Sequence, residues 1–273
     1  MVVRKDKRNL EEFFNKIFYR NYMERRKYMC FKIDLHMHTN STPHAYSTFE
    51  ECVARALSKE MEIIAITNHG PALPDSPHWW SLKNMEVFPR KIENLEILRG
   101  VEANIMDQEG NIDINNIVYQ MLDIILAGFH TIKEYGDTTS KKKNTNALIN
   151  VMKKQQVDII THPGNPSFPL DYEKIVENAK KYNIALEMNN SSLWVSRKGS
   201  APNCEKILSL CKDNGNIISL GSDAHISYDI GNFKYIIELL KKYDFPKNKI
   251  INNSKENLFK FLSERKAVKV KEI

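Results

Sequence analysis

Three histidines and an aspartate lie close together in the stretch DLHMHTNSTPHAY, residues 34–46 of this sequence. His36 and His38 are two positions apart, and strand side chains alternate between faces, so both rings would lie on the same face of a β-strand. Neutral imidazole is a common ligand of zinc and similar metals. The spacing therefore predicts that His36 and His38 bind one metal ion together.

Further histidines, together with Glu and Asp side chains that can also bind metals, occur at the ends of later apolar segments. Of the eight histidines in the chain, only His78 falls outside this pattern. A single histidine at a strand end is more often a packed or capping residue, but seven together leave many ring nitrogens to satisfy unless a cation is present. We therefore predict a metal site with nine candidate ligands, which are His36, His38, His44, His69, Glu102, His130, His162, Asp223 and His225.

The number of candidate ligands limits the number of metal ions. Nine donors are too many for one tetrahedral ion that keeps an open position for water, so two or three ions follow. A cluster of that kind can bind several phosphate oxygens and generate hydroxide at neutral pH. It can also stabilise the entering and leaving oxygens of an in-line displacement. These residues predict a hydrolytic metal centre.

The elements that must position these ligands alternate along the chain. Seven short runs rich in Ile, Leu and Val predict strands, and segments with apolar residues at three- and four-residue spacing predict helices between them. Strands that alternate with helices indicate a parallel sheet covered on both faces. Because no Gly-rich dinucleotide motif is present, we predict a closed or nearly closed (β/α) barrel. Its metal site should lie at the C-terminal ends of the strands.

The first 29 residues differ from the rest of the chain in charge. They carry nine Lys and Arg against four acidic residues, which accounts for most of the net charge of +6. The remainder is near neutral, so a basic surface for nucleic acid across the whole domain is not supported. We predict a basic helical N-terminal extension over residues 1–29 and a barrel domain over residues 30–273. Contact of the extension with RNA, a membrane or a partner stays open.

The sequence predicts a cytoplasmic protein. It has no apolar run long enough for a signal peptide or a membrane-spanning helix. Its four cysteines, Cys30, Cys52, Cys204 and Cys211, form no CxxC pair, and a disulfide framework is not expected. The oligomeric state is not predicted.

Eight motifs occur in a fixed order along the chain: DLHMH, TNHG, GVEANI, AGFH, THPGNP, EMNNSS, SRKGS and GSDAH. Together they resemble the polymerase and histidinol phosphatase (PHP) superfamily, and most closely its YcdX-type phosphatase branch. The similarity runs from about Lys32 to the C-terminus. It implies a protein of the α/β class with a distorted (β/α)7 barrel and a trinuclear metal site. Zinc is the expected metal, with manganese or iron as alternatives.

The resemblance also implies how three divalent metal ions would share the ligands. The implied sets are His36, His38, Glu102 and Asp223 for one ion, Glu102, His130 and His162 for a second, and His44, His69 and His225 for a third. One position departs from the family, which often has Asp where this chain has Asn68. We expect Asn68 to support neighbouring ligands and not to bind a metal itself.

Polar side chains near the expected metals are candidates for binding a phosphate. Arg197 is the preferred catalytic and phosphate-binding group, because a guanidinium fork matches phosphate oxygens. A loop arginine is also often solvated or paired with a carboxylate. Asn165, Asn190 and Ser192 complete the predicted substrate-binding set, and Asn189 lies beside them in sequence.

Two further segments each allow two interpretations. The HWW segment, residues 78–80, is either an aromatic lid over the substrate or local loop packing. The lysines of the SKKKN segment, residues 140–144, either attract anions to the mouth of the site or are solvated surface side chains.

The leading hypothesis is a metal-dependent phosphatase that hydrolyses small phosphate monoesters by attack of metal-bound hydroxide. Arg197 and the metals would stabilise charge on the equatorial oxygens. A phosphodiesterase or exonuclease could use the same cluster, although no aromatic and basic stripe for nucleic acid is present. Histidinol-phosphate phosphatase is a third possibility. The non-enzymatic alternative is a metal-binding regulatory module, although structural zinc sites are usually closed and rich in cysteine.

Overall fold

A computed structural model of the chain describes residues 31–269. In that range the strands are β1 (Ile33–Met37), β2 (Ile63–Ile66), β3 (Lys91–Ile92), β4 (Leu95–Asn104), β5 (Ile124–Gly128), β6 (Ile159–Ile160), β7 (Ala185–Asn189) and β8 (Ile218–Gly221). The helices are α1 (Phe49–Ser58), α2 (Trp80–Lys83), α3 (Asn116–Met121), α4 (Lys141–Lys154), α5 (Tyr172–Lys181), α6 (Asn190–Trp194), α7 (Ser200–Asn214), α8 (Lys234–Lys242) and α9 (Lys255–Lys269).

Seven of these strands pair in parallel, in the order β1, β2, β4, β5, β6, β7 and β8. The two ends of this sheet approach each other just beyond β1 and β8. There the backbone N–H of His38 donates to the carbonyl of Ala224 at 2.9 Å, and that of Asp223 donates to the carbonyl of His36 at 2.8 Å. The predicted fold is confirmed as a nearly closed barrel of seven parallel strands. This near-closure also brings the first and last predicted ligands together.

The structure adds short elements that the sequence pattern did not predict. β3 is a two-residue strand that pairs antiparallel with the start of β4. Helix α3 has only six residues, which is too short to show a helical period. Helix α6 begins directly after β7, where the Asn189 side chain accepts from the backbone N–H of Ser192 and caps the helix.

Helix α1 fixes the end of the loop that follows β1. Its N-cap is Thr48, whose hydroxyl accepts from the backbone N–H of Glu51 at 3.2 Å. The Glu51 carboxylate accepts in return from the backbone N–H of Thr48 at 2.7 Å. Thr48 and Glu51 thus form a capping box. It holds one end of the loop that carries His44.

The apolar core lies mainly at the end of the barrel opposite the predicted ligands. A buried cluster includes the first residues of five strands, which are Ile33, Ile63, Ile124, Ile159 and Ala185. Ile251, Leu258 and Phe261 from the C-terminal segment pack into the same cluster. Stability and function are therefore placed at different ends of the strands, as is usual in (β/α) barrels.

The structure answers several of the remaining predictions. Cys52, Cys204 and Cys211 are free and buried, as expected, whereas Cys30 lies outside the described residues. The basic helical extension predicted over residues 1–29 also lies outside them. No helix between residues 31 and 269 has both the length and the apolar character needed to cross a lipid bilayer.

Candidate metal centre

Glu102 lies at the centre of the predicted ligands. It is fully buried near the end of β4. Five histidine rings surround its two carboxylate oxygens. The distances from ring nitrogen to carboxylate oxygen are 3.1 Å for His36, 3.5 Å for His38, 3.1 Å for His69, 3.3 Å for His130 and 2.6 Å for His162. These rings come from the ends of four strands or from the loops that follow them, so the barrel brings distant parts of the chain to one carboxylate.

Asp223 is the second buried carboxylate of the cluster and follows β8. Its Oδ1 lies 3.4 Å from Nε2 of His36 and 3.2 Å from Nε2 of His38. Nδ1 of His225 is 3.6 Å from the same oxygen. The other oxygen, Oδ2, accepts a hydrogen bond from Nη1 of Arg197 at 2.8 Å. Asp223 thus links the histidine cluster to the preferred phosphate-binding arginine.

His44 occupies the exposed rim of this cluster. Its ring centroid lies 5.2 Å from that of His69 and 5.0 Å from that of His225. Its Nδ1 is 2.6 Å from a carboxylate oxygen of Asp75, a residue that the sequence analysis did not select. The structure therefore gathers all nine predicted ligands around one pocket, with His44 as the outermost.

Three groups of these residues place one donor atom each within 4.8 Å of one another, in the part of the chain that the structure describes. The groups are His36, His38, Glu102 and Asp223; His69, Glu102 and His130; and His38, His69 and His225. The first is the set implied by the resemblance. In the second group His69 takes the place expected for His162, and in the third His38 takes the place expected for His44. His162 still lies beside Glu102, and His44 still lies beside His69.

Several buried polar atoms of the cluster have no hydrogen-bond partner within residues 31–269. They are Nδ1 of His38, Nδ1 of His69, Oε2 of Glu102 and both ring nitrogens of His130. Buried polar groups in folded proteins are nearly always hydrogen-bonded, and leaving one unsatisfied costs about 1–3 kcal/mol. Unpartnered imidazole nitrogens that face an unpartnered carboxylate oxygen fit a bound cation. The donor set suits a divalent metal.

The buried histidines and carboxylates of the cluster have shifted pKa values. Burial disfavours the charged imidazole and lowers the pKa of both His69 and His162 to about 4. Burial would raise the pKa of Glu102 and Asp223, but the neighbouring side chains, His36 foremost, together outweigh it, and both pKa values lie well below their usual range. The pKa of His36 is raised well above normal, because Glu187, Glu102 and Asp223 together outweigh its burial. The carboxylates are anionic at neutral pH.

Three site residues have backbone conformations that side chains rarely adopt. The φ angles of His162, Arg197 and Asp223 are 32°, 48° and 55°. A residue other than glycine in the left-handed region costs about 1–3 kcal/mol, and such residues concentrate at functional sites. The His162 bend lies two residues after the end of β6. The fold maintains these conformations where the ligands converge.

Glu187 in β7 is a functional residue that the sequence analysis missed. It is buried, and its Oε1 lies 2.7 Å from Nδ1 of His36. Its Oε2 accepts from the backbone N–H of His162 at 2.8 Å and from the Asn189 side chain at 3.1 Å. The only signal was an acidic residue inside an otherwise buried strand, and no histidine follows β7 to draw attention to it. Glu187 holds two predicted ligands in place.

Asn68 acts on the loop after β1. Its side-chain oxygen accepts from the backbone N–H of Thr39 at 2.8 Å, and its amide nitrogen donates to the Thr39 hydroxyl at 3.0 Å. The hydroxyl of Thr42 also donates to the Asn68 oxygen, at 3.3 Å. These bonds hold the loop between His38 and His44. The contacts agree with the expected supporting role of Asn68.

The cluster opens into a cavity of about 570 Å³. It is lined by His44, His69, Leu73, Pro74, Asp75, His130, Thr131, Ser191, Val195, Ser196, Arg197, Asp223 and His225. Arg197 is the one predicted substrate-binding residue in this lining. Its Nη1 donates to the hydroxyls of Ser196 at 3.0 Å and Ser192 at 3.3 Å, as well as to Asp223.

The other predicted substrate-binding side chains make contacts within the protein. The Asn190 side-chain oxygen accepts from the backbone N–H of Tyr235 at 3.1 Å, near the start of α8. The Asn165 side-chain oxygen accepts from the backbone N–H of Ser167 at 3.1 Å. Ser192 reaches the cavity only through its contact with Arg197. Binding of substrate by these three residues stays a prediction.

The two ambiguous segments lie away from the cavity lining. His78 packs on Trp79 and Trp80, with ring centroids 5.3 Å and 5.2 Å apart. Both tryptophans line a different cavity, so the structure favours local packing over a lid. The lysines of the SKKKN segment begin α4, and the Lys143 ammonium donates to the carbonyl of Tyr135 at 2.7 Å. None of these side chains lines the cavity above the cluster.

Known proteins share both the sequence and the fold of this chain. Residues 34–254 match the PHP domain. A probable phosphatase of Pectobacterium carotovorum is 44% identical over 235 residues, which cover 86% of this chain and 95% of that protein. A probable phosphatase of Yersinia enterocolitica is 42% identical over 243 residues, covering 89% and 98%. The histidinol phosphate phosphatase of Lactococcus lactis has the same fold, with a TM-score of 0.53 and 17% identity over 78% of this chain and 94% of its own.

Proposed function

The chain belongs to the PHP domain family and is a metal-dependent phosphatase, and from this premise we propose that it hydrolyses small phosphate monoesters with three divalent metal ions. The observation that carries the proposal is the convergence of six histidines on the carboxylates of Glu102 and Asp223, beside the guanidinium of Arg197. Such a donor set leaves space for substrate in the adjoining cavity. The predicted cytoplasmic location stays a prediction.

Zinc is the proposed metal, with manganese or iron as alternatives. Imidazole nitrogens and carboxylate oxygens are ordinary zinc ligands. The Lactococcus lactis structure, which shares the fold, is complexed with zinc, L-histidinol and phosphate. We assign His36, His38, Glu102 and Asp223 to one ion, since their donor atoms lie together. Glu102 would bridge to a second ion near His69, His130 and His162, and the third would lie among His38, His44, His69 and His225.

When bound, the ions supply Lewis-acid stabilisation of phosphate oxygens and a source of hydroxide at neutral pH. The protein's own part is to hold the ligands and to orient the phosphate. Arg197 is largely buried, which disfavours its charge, but Asp223 and Glu102 raise its pKa, so it stays cationic. Its guanidinium lines the cavity and is positioned to bind non-bridging phosphate oxygens. Charge that develops on those oxygens during the reaction is stabilised by this preorganised cation.

The proposal is tested by phosphate release from p-nitrophenyl phosphate and a panel of alkyl phosphates, with elemental analysis of the same preparations. We expect turnover by zinc-loaded protein, about three ions per chain and loss of both in His36→Ala. Arg197→Ala should keep its metal and lose about 10²-fold or more in kcat. If the metal-loaded protein released no phosphate from any monoester, or released it equally with His36→Ala, the function would be wrong.

The diesterase alternative is separated by a matched pair of substrates. Bis(p-nitrophenyl) phosphate and p-nitrophenyl phosphate share a leaving group and differ in the number of ester bonds. We expect the monoester to have the higher kcat/KM, since Arg197 and the metals can together bind a dianionic phosphate. A clear preference for the diester would instead favour a phosphodiesterase.

A further inference from the structure

The inner and outer parts of the cavity differ in chemistry. The inner part is formed by buried groups that include His69, Asp223 and the side chain of Arg197. The outer part is formed by more exposed residues on separate loops. Leu73 and Pro74 lie in the loop after β2, and Val195 lies at the end of α6 with 75% of its surface exposed. A phosphate held at the metals would therefore place its leaving group among apolar side chains.

The charges along the lining are distributed unevenly. Among the described residues that line the cavity, Arg197 is the one Lys or Arg, and its Nη1 already contacts Asp223 on the inner side. The outer part contains a carboxylate, Asp75, whose side chain is 45% exposed. A second phosphate on the substrate would meet no lysine or arginine there and would be repelled by Asp75.

The hydroxyl groups of the lining are mostly bonded within the protein. The hydroxyls of Ser191 and Ser196 lie 3.0 Å apart, and Arg197 donates to Ser196 at 3.0 Å. Thr131, which is exposed, is the remaining hydroxyl side chain of the lining. A leaving group with many hydroxyls, such as a sugar, would lose water without gaining a matching set of hydrogen bonds.

From this asymmetry we propose that the preferred substrates are monophosphate esters of apolar alcohols or phenols that carry no second anionic group. The leaving group binds against Leu73, Pro74 and Val195. Apolar contact removes water from both surfaces, whereas a second phosphate would lose hydration near Asp75. The inference rests on the proposed phosphatase function and specifies its substrate class.

The first test compares primary alkyl phosphates, whose leaving groups have similar acidity. Zinc-loaded protein is assayed with 2-phenylethyl phosphate, glycerol 3-phosphate, n-butyl phosphate and butane-1,4-diol bisphosphate. We expect kcat/KM to be about tenfold higher for the phenylethyl ester than for the glycerol ester. The kcat/KM for the butyl ester should be about tenfold higher than the kcat/KM for the bisphosphate, counted per phosphate group. Equal values across either pair would overturn the inference.

The second test changes a residue in the outer part of the cavity. Val195→Lys should lower kcat/KM for the phenylethyl ester about fivefold by removing apolar contact. It should raise kcat/KM for the bisphosphate by a similar factor by adding a cation. The matched control is Val87→Lys, since Val87 is also an exposed valine, at 66%, and does not line the cavity. Val87→Lys should leave both values unchanged. If Val195→Lys behaved like the control, Val195 would not contact the leaving group and the proposed binding surface would be wrong.

A binding measurement separates this inference from the proposed function. Titration calorimetry with 2-phenylethylphosphonate and methylphosphonate, which are not hydrolysed, should show tighter binding of the phenylethyl compound, and Val195→Lys should reduce the difference. Turnover of all esters without preference would contradict only the substrate class. Failure to hydrolyse any ester would contradict the phosphatase function itself, whatever the phosphonates show.

Discussion

Each imidazole in the cluster has two ring nitrogens, and the partner of one nitrogen decides which way the other faces. Glu187 accepts at Nδ1 of His36, at 2.7 Å, so Nε2 of that ring faces Glu102 and Asp223. Asp75 holds Nδ1 of His44 in the same way at the rim, at 2.6 Å. Each of these two carboxylates therefore orients the ring of a predicted ligand, although neither is among the nine predicted ligands.

Glu187→Gln should weaken metal binding. Three donors meet the two oxygens of Glu187: the ring of His36, the backbone N–H of His162 and the side-chain amide of Asn189. A glutamine has one oxygen, so its NH₂ group must face a donor on one side. We expect metal affinity to fall by about 10–100-fold, as for other partners of metal-binding histidines. Competition with a chelator of known affinity measures the change directly.

The control for this change is Glu177→Gln in α5. Glu177 is exposed, so the same loss of charge should leave metal affinity unchanged. A thermal melt of both chelated variants checks that the barrel is intact. If Glu187→Gln bound zinc as tightly as Glu177→Gln, Glu187 would have no positioning role.

At the scale of elements, glycine at a strand end makes room for these contacts. Gly221 is the last residue of β8, and a Cβ there would lie 2.0 Å from Oε1 of Glu187 and 2.7 Å from Cβ of His36. Gly221→Ala should therefore separate His36 from Glu187. We expect the variant to purify with fewer metal ions and to lose phosphatase activity, as measured by elemental analysis and phosphate release.

Gly136→Ala is the matched control for that substitution. Within residues 31–269 nothing lies within 4 Å of a Cβ at Gly136, although its φ of 69° makes alanine unfavourable by about 1–2 kcal/mol. This variant should lose some thermal stability and keep its metal. Full metal content in Gly221→Ala would show instead that β8 moves to accept the methyl group.

The sequence predicts the strands well where two signals coincide. The segments that contain His36, His130 and His162 each combine an apolar run with a predicted metal ligand, and each contains a strand of the barrel. Local patterns could not predict which residues orient the ligands. Glu187 and Asp75 act on histidines that are distant in the chain, and such contacts exist only once the barrel brings the strands together. The hairpin of β3 and the short α3 were missed because two and six residues carry too little periodicity.

At the scale of the whole molecule, the described elements that build the site coincide with the part of the chain that matches the PHP domain. In the part of the chain that the structure describes, every strand and every predicted ligand lies within residues 33–225, and the PHP match begins at residue 34. We therefore propose that residues 30–273 form the barrel domain and that residues 1–29 are not needed for it. A variant lacking residues 1–29 should keep the far-UV circular dichroism expected for the barrel, its metal content and its kcat. Loss of folding on this deletion would contradict the proposed domain boundary.

Removal of the metals should separate stability from function. The apolar cluster around Ile63, Ile124 and Phe261 contains none of the ligands, so the barrel should stay folded when a chelator strips the ions. Ions that bind only the native state stabilise it, by about 4 kcal/mol for one site at a thousand times its dissociation constant. Chelated protein should therefore keep its far-UV spectrum, melt at a lower temperature and release no phosphate. Added zinc should restore the melting temperature and the phosphate release. Calcium serves as the control ion, since imidazole ligands suit it poorly. Unfolding on chelation, together with no phosphatase activity in the metal-loaded protein, would instead favour a structural cluster in a metal-binding regulatory module.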